Sequence, residues 1–264
     1  MNAPEAFYRE AGAGSGVVCV HSNASSGGQW RALMELLSPR FHVLAPDSYG
    51  AGKSPEWPSD LTITLEDEAR LIEGVLQKAG SLLALVGHSY GGAVALKAAL
   101  MDPGRVRALA LYEPTLFALI EQQGPSPNDA DGIRDAVARA SLALDAGNKA
   151  DAAEAFIDYW MAPGSWAQTP EARKPAIADA VTKVRRWKHA LFTEPTPIAR
   201  FRELEIPVML MTGKRSTTSA HGVARILKEV LPRVEHVEFE KLGHMGPITH
   251  PELVNDAIAR FLDR

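Results

Sequence analysis

Six short, largely apolar runs, 17–20, 42–45, 82–86, 108–112, 208–211 and 234–239, recur along this chain, all but the last closed within two residues by Gly, Pro or His. Runs of that length predict strands, and the segments between them are long enough for helices. In 64–77, Leu65, Ala69, Ile72 and Leu76 repeat at helical spacing, as do Val223, Ile226, Leu227, Val230 and Leu231 later. Such alternation predicts an α/β fold, a mainly parallel sheet flanked by helices on both faces.

The alternation stops after Pro114. No strand pattern occurs in 116–197, which begins near the breaker-rich Gly124-Pro125-Ser126-Pro127-Asn128-Asp129 and closes at Pro195-Thr196-Pro197. Ile133, Val137, Ala140 and Leu144 share one helical face; Ala152, Phe156, Tyr159 and Trp160 share another, and Ile177, Val181 and Val184 a third. Thr169-Pro170-Glu171 reads as a helix start, a hydroxyl cap followed by a proline where no N–H is needed. The expected organisation is a core of 1–115 and 198–264 with an all-helical cap at 116–197. An insert this long is usually a functional lid, and packing alone is the competing account.

With 264 residues, 46% apolar and 23% charged, the chain can bury one sizeable core. Its 28 Lys and Arg against 32 Asp and Glu give a net charge of −4, so no basic field exists to gather nucleic acid or an anionic membrane. Cys19, alone of its kind and inside an apolar run, reads as a buried, inert thiol. Residues 1–10 lack a charged-then-apolar leader pattern, and no apolar run approaches the roughly 18 residues of a membrane span. A soluble cytoplasmic protein is therefore expected, with a small molecule as its partner; a homodimer is left open. Neither His-Glu-x-x-His nor paired Cys-x-x-Cys occurs, so no metal or other cofactor is expected.

The sharpest chemical signal is Gly87-His88-Ser89-Tyr90-Gly91, at the end of one predicted strand and the start of a helical pattern, 93–100. In G-x-S-x-G the serine sits on a tight strand-to-helix turn that lifts its hydroxyl above the sheet edge, and the turn tolerates only small residues two positions either side. The free N–H groups of the following helix favour negative charge at the same spot. Gly50-Ala51-Gly52-Lys53-Ser54 invites a phosphate-loop reading, but the first glycine of that motif would fall on Asp47, and Pro55 blocks the helix that should follow. Gly12-Ala13-Gly14-Ser15-Gly16 leads into a strand and reads as a hairpin turn rather than a dinucleotide loop.

The chain resembles the α/β-hydrolase family. The resemblance covers nearly its whole length and rests on the serine elbow, on Asp47-Ser48-Tyr49-Gly50-Ala51-Gly52-Lys53-Ser54, similar to the family's D-x-x-G-x-G-x-S turn, and on Leu242-Gly243-His244, similar to its histidine loop. It implies an eight-stranded, mainly parallel sheet with a helical cap inserted after strand six. With little chain before Phe7, the family's first strand should be short or missing here.

A serine hydroxyl needs a base to become a nucleophile, and histidine suits neutral pH. His244, in Gly243-His244-Met245-Gly246 after the last predicted strand, is the candidate, because small neighbours let that loop fold back to Ser89. His250 reads as the opening of the last helix and His88 as the variable position of the elbow. In the family the orienting acid usually follows strand seven, where this chain has Ser216. Some similar members carry it after strand six, where Glu113 stands in Tyr112-Glu113-Pro114. That strand should lie about 4.8 Å from the nucleophile's strand, half the distance of the next one. Glu113 is thus the candidate triad acid; bracing the insert, with no acid in the site, is the alternative. On the first account Glu113→Gln lowers kcat severely and Ser216→Ala does little.

The resemblance further implies an oxyanion hole from the backbone N–H groups of Tyr90 and Asn23, with Ser22 replacing the usual glycine. His21 should buttress that loop, and Asp47 should fix the turns beside it. Trp30, Phe117, Trp160, Trp166 and Trp187 are candidate pocket residues. The expected activity is that of a serine hydrolase cleaving a small, mostly apolar ester, thioester or lactone through an acyl-enzyme. A carbon–carbon bond hydrolase and a cofactor-free perhydrolase are the enzymatic alternatives, and a non-catalytic small-molecule-binding protein is the alternative of another class. Members that use aspartate as nucleophile, dehalogenases and epoxide hydrolases, do not fit a serine at 89.

Overall fold

The computed structural model describes residues 4–57 and 62–264. Seven strands, β1 (Tyr8–Ala11), β2 (Ser15–Val20), β3 (Phe41–Pro46), β4 (Leu83–His88), β5 (Val106–Tyr112), β6 (Val208–Gly213) and β7 (Val234–Phe239), form one sheet in the order β1-β3-β2-β4-β5-β6-β7. All six predicted runs are strands in it, paired in parallel. Along β2 to β6 the side chains are buried alternately on the two faces: Val17, Cys19, Val86, Ala110 and Met209 on one, Val18, Val20, Leu85, Leu109 and Leu210 on the other. Two-sided burial is why these runs are continuously apolar rather than alternating. Burial of Cys19 pushes its thiol well above the ordinary range, in keeping with an inert group.

The other strand, β1, is half polar and was not legible as an apolar run. It pairs antiparallel with β3, which lies between it and β2. The turn at 12–14 therefore joins two strands that are not neighbours, and the hairpin expectation is corrected. The sheet has seven strands among the described residues, one fewer than the family's eight.

Helices α1 (Arg31–Leu37) and α13 (Pro251–Leu262) pack together on one face through Leu33, Leu37, Val254 and Ile258. On the other lie α2 (Leu65–Leu71), α3 (Glu73–Ala79), α4 (Tyr90–Met101) and α11 (Thr218–Val230). The single helix predicted over 64–77 breaks at Ile72, whose φ −86° and ψ 2° leave the helical region just before Gly74, a weak helix former. Thr64 and Asp67 cap its start reciprocally, each side chain bonding the other's backbone N–H at 3.1 and 2.9 Å.

Between β5 and β6 the chain is helical: α5 (Ala118–Gln123), α6 (Asp131–Asp145), α7 (Lys149–Trp160), α8 (Ser165–Gln168), α9 (Lys174–Val181) and α10 (Val184–Phe192), then a 3-10 turn at Ile198–Glu203. Buried Ile133, Val137, Ala152, Phe156 and Val181 join this insert to the core beneath α4 and α11 in one apolar cluster; the side chain of Val184 lies outside the described residues. Lys97 on α4 and Glu194 in the returning segment form a largely buried ion pair at 2.9 Å. After β7, α12 (Gly246–Thr249) follows the His244 loop. Among the described residues, no helix is long and apolar enough to cross a membrane.

Candidate active site

The register of β4 and β5 pairs His88 with Tyr112, so the next residues, Ser89 and Glu113, leave the sheet side by side. Both have positive φ, 57° and 43°, and so does Ala24 after β2, at 53°. Strain at non-glycine residues on three neighbouring strand ends marks the edge where backbone has been bent for a purpose. At the elbow, a Cβ on Gly87 would meet the Gly91 carbonyl oxygen at 2.5 Å, and one on Gly91 would meet the Val20 oxygen at 2.3 Å. The two glycines therefore hold α4 against both its own strand and the loop after β2.

His244 Nε2 stands 2.9 Å from Ser89 Oγ, and its Nδ1 is 2.7 Å from Glu113 Oε2. All three residues are buried. The Glu113 carboxylate accepts two further bonds, from the Gly213 N–H to Oε1 at 2.7 Å and from the Ser216 hydroxyl to Oε2 at 2.6 Å. Glu113 thus reaches the histidine as its place in the sequence predicted. Ser216, read there only as the residue standing where an acid usually does, is tied to that acid. Its position was the one available signal for this.

The histidine is held from three sides. His88 donates from Nε2 to the His244 carbonyl at 2.8 Å while its Nδ1 accepts from the Gln29 amide at 3.1 Å, and the Tyr112 hydroxyl donates to the Gly243 carbonyl at 2.7 Å. Burial, reinforced by the nearby His244, pushes the His88 pKa well below the ordinary range, which favours the neutral ring, and the His244 carbonyl, an acceptor only, selects the tautomer with the proton on Nε2. Trp160 of the insert stacks on the His244 ring, centroids 3.8 Å apart. Nothing local in the sequence marked His88 for this support.

Tyr90 begins α4, so its N–H has no carbonyl within the helix, and the collision that forbids a Cβ on Gly91 brings the loop carrying Asn23 alongside. The Ser22 N–H and hydroxyl both donate to Gln29 Oε1, at 3.0 and 2.9 Å. His21 Nδ1 donates to the Ser22 carbonyl at 2.6 Å and its Nε2 accepts from Ser48 N–H at 3.0 Å, and burial lowers its pKa. Asp47 accepts from the Gly27 and Lys53 N–H groups at 2.6 and 2.9 Å. Both therefore brace the loops. Sequence reasoning did not single out Glu68, fully buried beneath Tyr90, whose carboxyl accepts from the Tyr90 hydroxyl and the Tyr49 N–H, each at 3.2 Å; burial pushes its pKa up to about 8.

Ser89 and His244 open into a cleft of about 800 Å³ lined by the Asn23 loop, by Phe156, Trp160 and Ile177 of the insert, and by Met245 and Ile248. A second cavity of about 20 Å³ adjoins Ser89 on the side of Thr115 and Phe117. Of the five aromatic candidates only Phe117 and Trp160 line these spaces. Trp30 packs under the sheet with α1, Trp187 lies against the Tyr90 ring at 5.3 Å, and Trp166 is in the insert's own packing beneath Lys174, so those three expectations are corrected. Large aromatics go where they bury most area, and sequence does not say which core that is. No group of three or more His, Cys, Asp or Glu placed to hold a metal occurs among the described residues.

A family model described as alpha/beta hydrolase fold matches residues 17–251. The chain belongs to the α/β-hydrolase family. This hydrolase is 26% identical, over 98% of its own length and 88% of the other's, to 2-hydroxy-6-oxo-6-(2'-aminophenyl)hexa-2,4-dienoic acid hydrolase from Metapseudomonas resinovorans. It is 24% identical to pimeloyl-[acyl-carrier protein] methyl ester esterase from Aliivibrio fischeri, over 98% and 97% of the two chains. An α/β hydrolase from Sphaerobacter thermophilus superposes with a TM-score of 0.76 at 25% identity, over 97% of this chain and 96% of that one.

Proposed function

We propose that this hydrolase cleaves a small, mostly apolar carboxylic ester, thioester or lactone through an acyl-enzyme on Ser89. The observation that carries the reading is the hydrogen-bonded line from Ser89 Oγ through His244 to Glu113 at the floor of one cleft. Ser89 Oγ attacks the substrate carbonyl carbon as its proton passes to His244 Nε2, and Glu113 stabilises the imidazolium and holds its tautomer. The Tyr90 and Asn23 N–H groups bind the carbonyl oxygen as it becomes an oxyanion, each contributing roughly 3 kcal/mol in the transition state. Collapse of the intermediate breaks the bond to the leaving alcohol or thiol, which takes the proton from Nε2. Water then gives a proton to Nε2, attacks the acyl carbon and releases the acid, and Ser89 regains its proton.

The helical insert acts as a cap: Trp160 covers the histidine, and residues of α7 and α9 wall the cleft against bulk water. The test is labelling by a fluorophosphonate together with turnover of chromogenic esters of rising chain length. Covalent modification and hydrolysis that both vanish in Ser89→Ala support the reading; an unlabelled Ser89 supports a binding protein instead. A relative named for hydrolysing a dienoic acid rather than an ester favours a second reading, hydrolytic cleavage of a carbon–carbon bond in a β-diketone-type substrate. Two carbonyl products from such a substrate, with aryl esters left intact, would select it.

A further inference from the structure

The cavity of about 20 Å³ beside Ser89 has a mainly apolar wall that includes Phe117, Ile133, Val137, Phe156 and Leu191, with solvent-exposed Lys188 also at its lining. Two polar atoms in that lining break the pattern. Thr115 Oγ1 and Asn23 Oδ1 are both buried without a hydrogen-bond partner on the protein, and Thr115 is only 2% exposed. A buried polar group left unpaired costs about 1–3 kcal/mol. Thr115 is moreover fixed to the nucleophile, its N–H donating to the Ser89 carbonyl at 3.2 Å.

Both residues line the cavity; the Thr115 hydroxyl can donate or accept and the Asn23 oxygen only accepts, so a group there must donate to satisfy Asn23, and one that also accepts takes up the threonine hydrogen as well. A hydroxyl does this; a ketone or an ether does not. A cavity of this size holds about one or two water-sized groups, and the large cleft, which shares Ser89, Asn23, Phe156 and Trp160 with it, has room for a bulky leaving group. Resting on the acyl-enzyme reading above, we propose that Thr115 and Asn23 make this cavity an acyl subsite for a short hydroxy acid. Esters of two- or three-carbon hydroxy acids are its substrate class, and Thr115 is the residue that sets it.

The test compares aryl esters differing only in OH against CH₃: 2-hydroxypropionate with 2-methylpropionate, and 3-hydroxypropionate with butyrate. The ratio of kcat/KM, hydroxy over methyl, is measured in the wild type, in Thr115→Val and in Thr115→Ser. Taking the ratio against Thr115→Val cancels the intrinsic reactivity of the esters. For at least one pair it falls about tenfold or more in Thr115→Val, and Thr115→Ser, which keeps the hydroxyl, retains most of it. A loss of packing alone lowers both esters together and leaves the ratio unmoved. Should Thr115→Val fail to fold, Thr115→Ala against Thr115→Ser makes the same comparison. Fluorophosphonate labelling of the wild type separates the failures: labelled Ser89 with both ratios unchanged overturns the subsite alone, and unlabelled Ser89 overturns the acyl-enzyme reading and the subsite with it.

Discussion

Glu113 Oε2 lies 2.7 Å from His244 Nδ1, and it reaches there from the end of β5, the strand beside the one that ends at Ser89. The strand beyond, β6, ends in Gly213, whose N–H bonds the other carboxylate oxygen at 2.7 Å. The acid is thus supplied by one strand and aimed by the next. In Glu113→Gln the amide cannot stabilise the imidazolium, and its own N–H groups compete for the wrong tautomer. A fall in kcat of about 10³ to 10⁴ with little change in KM is expected. Steady-state kinetics on the best chromogenic ester check it, and near-normal kcat would remove Glu113 from the chemistry.

Ser216 donates to the very oxygen that faces His244. Read from sequence, Ser216→Ala should do little; the bond at 2.6 Å to a buried carboxylate changes that expectation. A hydrogen bond to a charged group is worth about 1.5 kcal/mol or more, so Ser216→Ala should lower kcat about tenfold. Because position 216 is within reach of the same oxygen, Ser216→Asp in a Glu113→Gln background should restore part of the lost rate. A double variant no faster than Glu113→Gln alone would show that only β5 can deliver the acid.

Glu68 makes stability depend on pH. Its folded pKa of about 8 lies above its ordinary 4.5, with burial as the leading cause. Folded protein therefore keeps a proton that the unfolded chain has lost in this interval. The contribution is full below about pH 4.5 and is lost as pH rises towards about 8. Thermal melts should show Glu68→Gln less sensitive to pH across that window than the wild type. Identical slopes would mean that Glu68 is ionised in the fold.

Lys97 and Glu194 join α4 to the segment returning from the insert, with Glu194 also accepting from the Thr196 N–H at 3.3 Å. Removing one member of a buried pair leaves an uncompensated charge, so Lys97→Met should destabilise the fold by about 3–5 kcal/mol. Lys97→Met with Glu194→Leu should recover most of the loss. Denaturant unfolding of the two variants measures the difference, and equal stabilities would show that the pair is not coupled.

Much of this was written locally. Apolar runs of strand length determined β2 to β6, because a strand buried on both faces must be apolar almost throughout; the edge strand β7, with Glu235, His236 and Glu238, shows only its length and its three apolar residues. The glycines around Ser89 and His244 announced the elbow and the histidine loop: at Gly87 and Gly91 a neighbouring backbone leaves no room for a Cβ, and at Gly246 the Tyr112 ring does the same. Even the approach of Glu113 to His244 could be expected, since β5 lies beside the strand that ends at Ser89. Other features depended on which distant segments came to rest together. The half-polar β1 settles on β3 because a sheet edge accepts what the core would not. Ser216, 103 residues from Glu113 in sequence, completes the carboxylate's bonding, His88 holds a loop 156 residues away, and Trp160 rather than Trp30 covers the site. Each of those contacts forms only after the strands are ordered and the insert is seated. Tertiary packing decided them, because hydrogen bonds and ring stacking act over a few ångströms and leave no periodicity in the chain that makes them.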